Sequence, residues 1–147
     1  MNNDKLSEPC YKKNRHSCYD LQYHLVVVAG YRHPVLTGDI ETRLKEITER
    51  IFTENWHCEL YAMECDKDHM HILFSAPPQV CLSTLVNNYK TVSSRLLRKE
   101  FSEKLKSYYW KDSFWSKSYF VGSVSERTHD VVEQYIHDQK LKDKTKR

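Results

Sequence analysis

Two periodicities of hydrophobic and polar positions divide the chain into strands and helices. Four segments are rich in β-branched or aromatic residues and end at turn-forming residues, which is typical of strands. Two others repeat apolar residues every three or four positions and so form a single stripe along a helix. The pattern predicts strands over 21–29, 57–63, 68–76 and 114–124, helices from Ile40 to Ile51 and over 82–101, and a last helix over 126–141.

The order of these elements, β-α-β-β-α-β-α, predicts an α+β fold. Without its last helix this order is the split βαβ pattern of a ferredoxin-like domain, in which an antiparallel sheet carries both helices on one face. We expect the apolar segment 21–29 to be a buried central strand and the second sheet face to be open. No repeat or low-complexity segment divides the chain, so 1–147 is predicted to be one domain with an N-terminal extension (1–17) and a basic tail (142–147).

Composition excludes several classes of protein. No run of about 18 apolar residues exists, and the polar first ten residues lack the apolar region of a signal peptide, so we expect neither a membrane span nor secretion. The five cysteines form an odd set without a C-x-x-C pair, which disfavours a disulfide framework and a zinc ribbon. We therefore expect a cytoplasmic protein.

Charge is distributed unevenly although the formal net charge is only +3. Residues 39–68 hold nine acidic and four basic side chains, whereas 87–111 hold seven basic and two acidic ones. Three tyrosines and a tryptophan (Tyr89, Tyr108, Tyr109 and Trp110) are interleaved with these basic residues, a mixture that suits nucleic acid, with phosphates on the cations and bases stacked on the rings. A solvated helix face would show the same charges. The candidate DNA contacts in this stretch are Lys90, Arg95, Arg98 and Lys99.

A His-x-His pattern lies in the predicted strand 68–76. Because side chains alternate along a strand, His69 and His71 share one face while Met70, Ile72 and Phe74 share the other. The apolar set must face the helices, which leaves the two imidazoles together on the second face. Their Cα atoms are then about 6.5–7 Å apart, a spacing from which two ring nitrogens can bind one divalent cation. The alternative to a metal site is that the two histidines are half-exposed and bind no ligand.

The predicted last helix carries a second pair, Tyr135 and Gln139, which lie four residues apart and so share one face. Taken alone, a packed tyrosine whose hydroxyl binds water explains this pair. Next to the two histidines, the pair indicates a metal site, because the carbonyl of Gln139 is an oxygen ligand of the kind that Mg²⁺ prefers. A neighbouring cation would also favour the phenolate of a tyrosine, whose ordinary pKa is about 10, and so create a nucleophile for phosphorus. No P-loop or Gly-rich nucleotide loop occurs, so no nucleotide cofactor is predicted.

The chain resembles the single-tyrosine HUH transposases of small bacterial and archaeal insertion sequences. The resemblance covers nearly the whole chain and includes the triplet His69-Met70-His71 and the pair Tyr135 and Gln139. Its segments are YHLVVVAGYRHPVLTG (23–38), MECDKDHMHILFSAPP (63–78), YKTVSSRLLRKEF (89–101), FWSKSYFVGSVS (114–125) and VVEQYIHDQ (131–139).

This resemblance implies a function and a site. It implies cleavage and rejoining of single-stranded DNA through a 5′-phosphotyrosine and a free 3′-hydroxyl, with Tyr135 as nucleophile. His69, His71 and Gln139 would bind Mg²⁺ or Mn²⁺. The resemblance also implies recognition of a subterminal DNA hairpin and a homodimer in which the tyrosine helix of one subunit completes the metal site of the other.

Several alternatives stay open at this point. A host-domesticated relative that processes repeated genomic hairpins would use the same chemistry, and a non-catalytic ferredoxin-like nucleic-acid-binding module would stack bases on aromatic residues of its open sheet face. Asp68 is either a hydrogen-bond partner of an imidazole or a turn cap. His24 and His57 are interpreted as structural. For the dimer, the strands 21–29 and 114–124 are candidates for edge-to-edge pairing across a two-fold axis.

Overall fold

The computed structural model describes residues 21–109, 113–124 and 137–138, together with the backbone of 12–13 and 18–19. A 3₁₀ turn at Gly30–Arg32 follows the first long strand, and a π-helical segment at Ile51–Asn55 extends the first helix. The elements in chain order are β1 (Lys12–Lys13), β2 (Cys18–Tyr19), β3 (Gln22–Ala29), α1 (Gly38–Arg50), β4 (Glu59–Cys65), β5 (His69–Ser75), α2 (Leu82–Glu100), α3 (Ser102–Leu105) and β6 (Trp115–Ser123).

The main sheet has four strands in the order β4-β5-β3-β6, and every neighbouring pair is antiparallel. This is the ferredoxin-like arrangement that the sequence predicts, with β3 at its centre. Both edges of β3 are therefore occupied, by β5 and by β6 of the same chain. The prediction that strand 21–29 pairs with a second subunit is wrong for this reason, because an interior strand has no free backbone groups to offer. The two-residue strands β1 and β2 form a separate pair.

Both helices pack on one face of the sheet, as predicted. Helix α1 buries Ile40, Leu44 and Ile47 against it, and α2 buries residues at the same helical spacing. Tyr89 of α2 is fully buried, and its hydroxyl lies 2.7 Å from Oγ1 of Thr48. A hydrogen bond here satisfies two polar groups that would otherwise be costly to bury.

The second face of the sheet is not open at its centre, and the prediction that it would be is wrong there. Val26 and Val28 lie on this face, both are fully buried, and Phe120 of β6 packs against them. His69 opposite Val28 is only 7% exposed. The alternating β-branched residues of β3 form a small apolar cluster on this face. The face was predicted to be open because both helices lie on the other one.

Most element boundaries match the prediction within two residues, and one difference has a backbone cause. The strand predicted over 57–63 begins at Glu59, because His57 has a left-handed φ of 56° that an extended strand cannot contain. Of the predicted last helix, only residues 137–138 are described, and they are helical. Tyr135 and Gln139, like the basic tail 142–147, lie outside the described residues. No helix in the described part of the chain is long and apolar enough to cross a membrane.

Candidate active site

Strand β5 presents His69 and His71 on the sheet face away from the two long helices. Met70 and Ile72 alternate with them and are fully buried in the main core, so the predicted division of faces is present. The two imidazole centroids are 5.0 Å apart, and the ring planes make an angle of 68°. The rings therefore lie close enough for one nitrogen of each to contact a shared ligand.

Asp68 holds the ring of His69. Nδ1 of His69 lies 2.7 Å from Oδ1 of Asp68, and because a carboxylate only accepts, the imidazole donates this hydrogen bond. The other carboxylate oxygen of Asp68 binds Arg32, at 3.1 Å from Nε and 2.8 Å from Nη2. Both partners of this ion pair are nearly buried. Of the two alternatives for Asp68, the hydrogen bond to an imidazole is therefore present. In a neutral His69, this hydrogen bond leaves Nε2 as the unprotonated nitrogen.

A third histidine, His24 of β3, contacts His71. Its Nε2 lies 3.1 Å from Nδ1 of His71, and the ring centroids are 5.2 Å apart. The sequence predicted a structural role for His24 and did not indicate a contact with His71. The strand register explains the contact, because Val26 lies opposite His71 and His24 is two residues away on the same face. When Nδ1 of His71 donates to His24, Nε2 of His71 is left as an acceptor, as it is in His69.

The described donors near the histidine pair are few. Oδ2 of the exposed Asp66 lies 3.9 Å from Nε2 of His69. Among the described residues, no three histidine, cysteine, aspartate or glutamate side chains converge on one point. The described part of the site thus offers two imidazole nitrogens, each on a ring whose other nitrogen is engaged, and this set fits a divalent metal that takes its remaining ligands elsewhere.

A strained turn places Arg32 beside this site. Tyr31 and Arg32 have left-handed φ angles of 56° and 53°, which residues with a side chain rarely adopt. Hydrogen bonds hold the turn on both sides of Gly30, whose N–H donates to the carbonyl of Phe114 (2.8 Å) and whose carbonyl accepts from the hydroxyl of Tyr109 (3.1 Å). The ion pair with Asp68 therefore depends on a turn that the surrounding structure fixes.

The four predicted DNA contacts are not brought to the histidine pair, because α2 packs on the opposite face of the sheet. Lys90 is half-buried and donates to the carbonyls of Ser116 (2.6 Å) and Lys117 (3.1 Å) of β6. Burial lowers the pKa of this lysine. The other three vary in their surroundings: Arg98 donates to Oγ of Ser94, Lys99 is exposed, and Arg95 lines a groove of about 270 Å³ with Arg43 and Arg50.

A known protein family matches most of this chain. Residues 17–139 match the family model described as "Transposase IS200 like". The chain belongs to the IS200-like transposase family. This confirms the resemblance found in the sequence and makes the protein a DNA-processing enzyme of the transposase class.

Relatives of this IS200-like transposase include the ISDra2 transposase TnpA of Deinococcus radiodurans. It is 37% identical over 128 residues, which are 87% of this chain and 90% of the relative. The transposase for insertion sequence element IS200 of Salmonella typhimurium is 29% identical over 133 residues, 90% of this chain and 86% of the relative.

Solved structures show the same fold. A crystal structure of a Deinococcus radiodurans protein assigned as a transposase superposes with a TM-score of 0.79 at 37% identity, covering 87% of this chain and 97% of that one. The structure of a REP-associated tyrosine transposase bound to a REP hairpin superposes with a TM-score of 0.56, covering 88% of this chain and 73% of that one. At 15% identity, the second likeness shows a shared fold alone.

Proposed function

We propose that this IS200-like transposase cleaves and rejoins single-stranded DNA at insertion-sequence ends through a 5′-phosphotyrosine on Tyr135. One observation carries the proposal: His69 and His71 lie side by side, and each ring has its Nδ1 engaged by a neighbouring side chain. Such paired contacts are typical of histidines that bind metal through Nε2, because they fix both the tautomer and the ring orientation.

His69, His71 and Gln139 are the proposed ligands of Mg²⁺ or Mn²⁺. A cation held there would bind an oxygen of the scissile phosphate and offset the charge that develops as phosphorus is attacked. Mg²⁺ demands mostly oxygen ligands, and two imidazoles supply nitrogen. The described donors therefore suit Mn²⁺ better than Mg²⁺.

Tyr135 is the proposed nucleophile. Its phenolate oxygen forms a bond to phosphorus while the bond between phosphorus and the 3′ oxygen of the preceding nucleotide breaks. The departing oxygen takes up a proton and becomes a free 3′-hydroxyl, and the 5′ side stays attached to the enzyme. Attack by another 3′-hydroxyl reverses these changes and rejoins a strand. One phosphodiester replaces another at each step, so the reaction needs no ATP.

A subterminal DNA hairpin and a second subunit are the proposed partners. A fold relative binds a REP hairpin, which supports the first. For the second, β6 is a nine-residue edge strand of the main sheet, and edge strands are templates for pairing between chains.

If the subunits exchange tyrosine helices, mixing Tyr135→Phe with a His69→Ala/His71→Ala variant restores cleavage in the heterodimer. Absence of cleavage in heterodimers that have formed would show that each subunit builds its own site.

The test of the nucleophile uses Tyr135→Phe. The wild-type protein, given Mn²⁺ and a single-stranded oligonucleotide that spans an insertion-sequence end, is expected to form an adduct that survives denaturing electrophoresis. The phenylalanine variant loses one oxygen and little volume, so it should bind the hairpin and form no adduct. An adduct of normal yield with Tyr135→Phe would show that another residue is the nucleophile.

A further inference from the structure

Tyr31 is an aromatic residue whose backbone and side chain both lack a packing explanation. Its side chain is 64% exposed, the largest fraction among the large apolar side chains that the structure describes. Its φ of 56° is one that glycine adopts freely and tyrosine does not. A glycine would therefore satisfy the backbone of this turn better, and little buried surface would be lost with the ring. The ring is held outward at a cost to folding, and such strain is typical of functional positions.

The exposed ring belongs to a series of aromatic contacts. The centroid of Tyr31 lies 6.0 Å from that of His33, which lies 5.2 Å from the ring of Tyr108 and 5.3 Å from that of Tyr109. Tyr109 is buried and anchors the series, because its hydroxyl donates to the carbonyl of Gly30. Tyr108 is 37% exposed, so two of the rings present surface to solvent. We name Tyr31, His33 and Tyr108 the aromatic platform.

Two lysines lie beside the loop that follows Tyr31 and His33. A Cβ placed on Gly38 would lie 3.8 Å from Nζ of Lys104, so this ammonium group lies beside the loop. The carbonyl of Lys67 accepts a hydrogen bond from Leu36 in the same loop, and the side chain of Lys67 is exposed. Exposed rings with cations along the same loop form the combination that binds single-stranded nucleic acid with little dependence on base identity.

The platform is also connected to the histidine pair. Tyr31 directly precedes Arg32, Arg32 binds Asp68, and Asp68 accepts the hydrogen bond from His69. We propose that the platform stacks bases of the single-stranded DNA on which the enzyme acts. The identity of this ligand rests on the proposed function, whereas the stacking itself rests on the exposed rings and the strained turn.

The main test replaces Tyr31 by glycine, which removes the ring and relieves the backbone. The probe is a fluorescein-labelled deoxyadenosine oligomer of about twelve nucleotides without a hairpin. One lost stacking contact corresponds to roughly a 5- to 150-fold loss of affinity. We expect a loss in this range for Tyr31→Gly, with an unchanged or higher Tm. Tyr31→Phe should bind as the wild type does, because the stacking ring remains.

Two controls separate stacking from charge and from general aromatic exposure. An oligomer of the same length made of abasic sites keeps the phosphates, and its affinity should not differ between wild type and Tyr31→Gly. Tyr61→Ala removes a ring that is 43% exposed on the edge strand β4, and it should leave binding unchanged. Equal losses for both oligomers, unchanged binding by Tyr31→Gly, or a fall in its Tm would each overturn the platform. Tighter binding of the matching RNA oligomer would overturn the assignment to DNA.

The adduct assay with Tyr135, run in parallel, keeps the two proposals apart. Loss of oligomer binding in Tyr31→Gly, together with no adduct in the wild type, would contradict the proposed cleavage reaction and support the platform. An adduct in the wild type, together with unchanged binding by Tyr31→Gly, would support the reaction and overturn the platform.

Discussion

The carboxylate of Asp68 accepts a hydrogen bond of 2.7 Å from Nδ1 of His69. This contact selects the imidazole tautomer in which Nε2 carries the lone pair. Because Arg32 binds the other oxygen of the same carboxylate, the group that sets the tautomer is itself fixed in position. The contacts from Arg32 through Asp68 to His69 thus fix the imidazole ring so that its Nε2 can accept a metal ion.

Replacing Asp68 by asparagine is expected to weaken Mn²⁺ binding about 10- to 100-fold, the usual cost of losing an outer partner of a metal-binding histidine. Asparagine still accepts a hydrogen bond but offers no negative charge to His69 or Arg32. The variant should also be less stable, by about 3–5 kcal/mol, because the nearly buried guanidinium loses its ion-pair partner. Isothermal titration with Mn²⁺ and chemical denaturation measure the two effects.

The matched control for this substitution is Asp39→Asn. Asp39 is an exposed carboxylate in the first turn of α1, so its loss should change neither quantity by much. An Asp68→Asn protein with the Mn²⁺ affinity of the wild type would show that the contact with His69 has no part in metal binding.

His24 is expected to fix the tautomer of His71 by accepting from its Nδ1. In the metal-free wild type, ¹⁵N shifts of His71 should therefore show a protonated Nδ1, and His24→Phe should show a mixture of tautomers with about 10-fold weaker Mn²⁺ binding. His24→Gln keeps a hydrogen-bonding group and should retain part of the affinity. His57→Phe replaces an exposed histidine and serves as the control. If the wild type already contains His71 protonated at Nε2, the assignment of His24 as acceptor is wrong.

Cys81 is expected to be the most reactive of the three described cysteines. Hydrogen bonds from Ser83 and Thr84 lower the pKa of its exposed thiol to about 7 from an ordinary 9.0. Burial instead raises the pKa of Cys65 to about 11 and that of Cys58 to about 12. A thiol ionises as pH rises through its pKa, and the thiolate is the nucleophile, so alkylation of Cys81 should reach half its maximal rate near pH 7.

Mass spectrometry after short exposure to iodoacetamide at a series of pH values measures this rate for each cysteine. Ser83→Ala removes the largest of the stabilising hydrogen bonds and should move the midpoint of Cys81 to higher pH. A wild-type midpoint near the ordinary value would contradict the environment that the structure shows.

Sequence patterns predicted the elements of this fold because strand and helix periodicities are local. The same locality placed His69 and His71 on one face, since Met70 and Ile72 between and beyond them are apolar. The contact between His24 and His71 joins residues 47 positions apart, and it follows only from the register of β3 against β5. The alternation of polar and apolar residues within one strand does not show which residues of the neighbouring strand lie opposite it.

Other features also lay beyond the sequence. The left-handed turn at Tyr31 and Arg32 contains no glycine or asparagine at those two positions, so the usual signals of positive φ are missing. The burial of Val26 and Val28 depends on how the second face is covered, and a strand pattern shows only that two apolar residues share a face. The role of Tyr135 and Gln139 stays a prediction that rests on the resemblance.

The most direct test of the account is the position of Mn²⁺ in crystals of this protein soaked with the ion. The account predicts an anomalous difference peak between Nε2 of His69 and Nε2 of His71, and the peak should vanish in His71→Ala crystals soaked in the same way. An empty position between the two imidazoles in fully soaked wild-type crystals, or a peak bound elsewhere in the chain, would contradict the proposed metal site and the cleavage chemistry built on it.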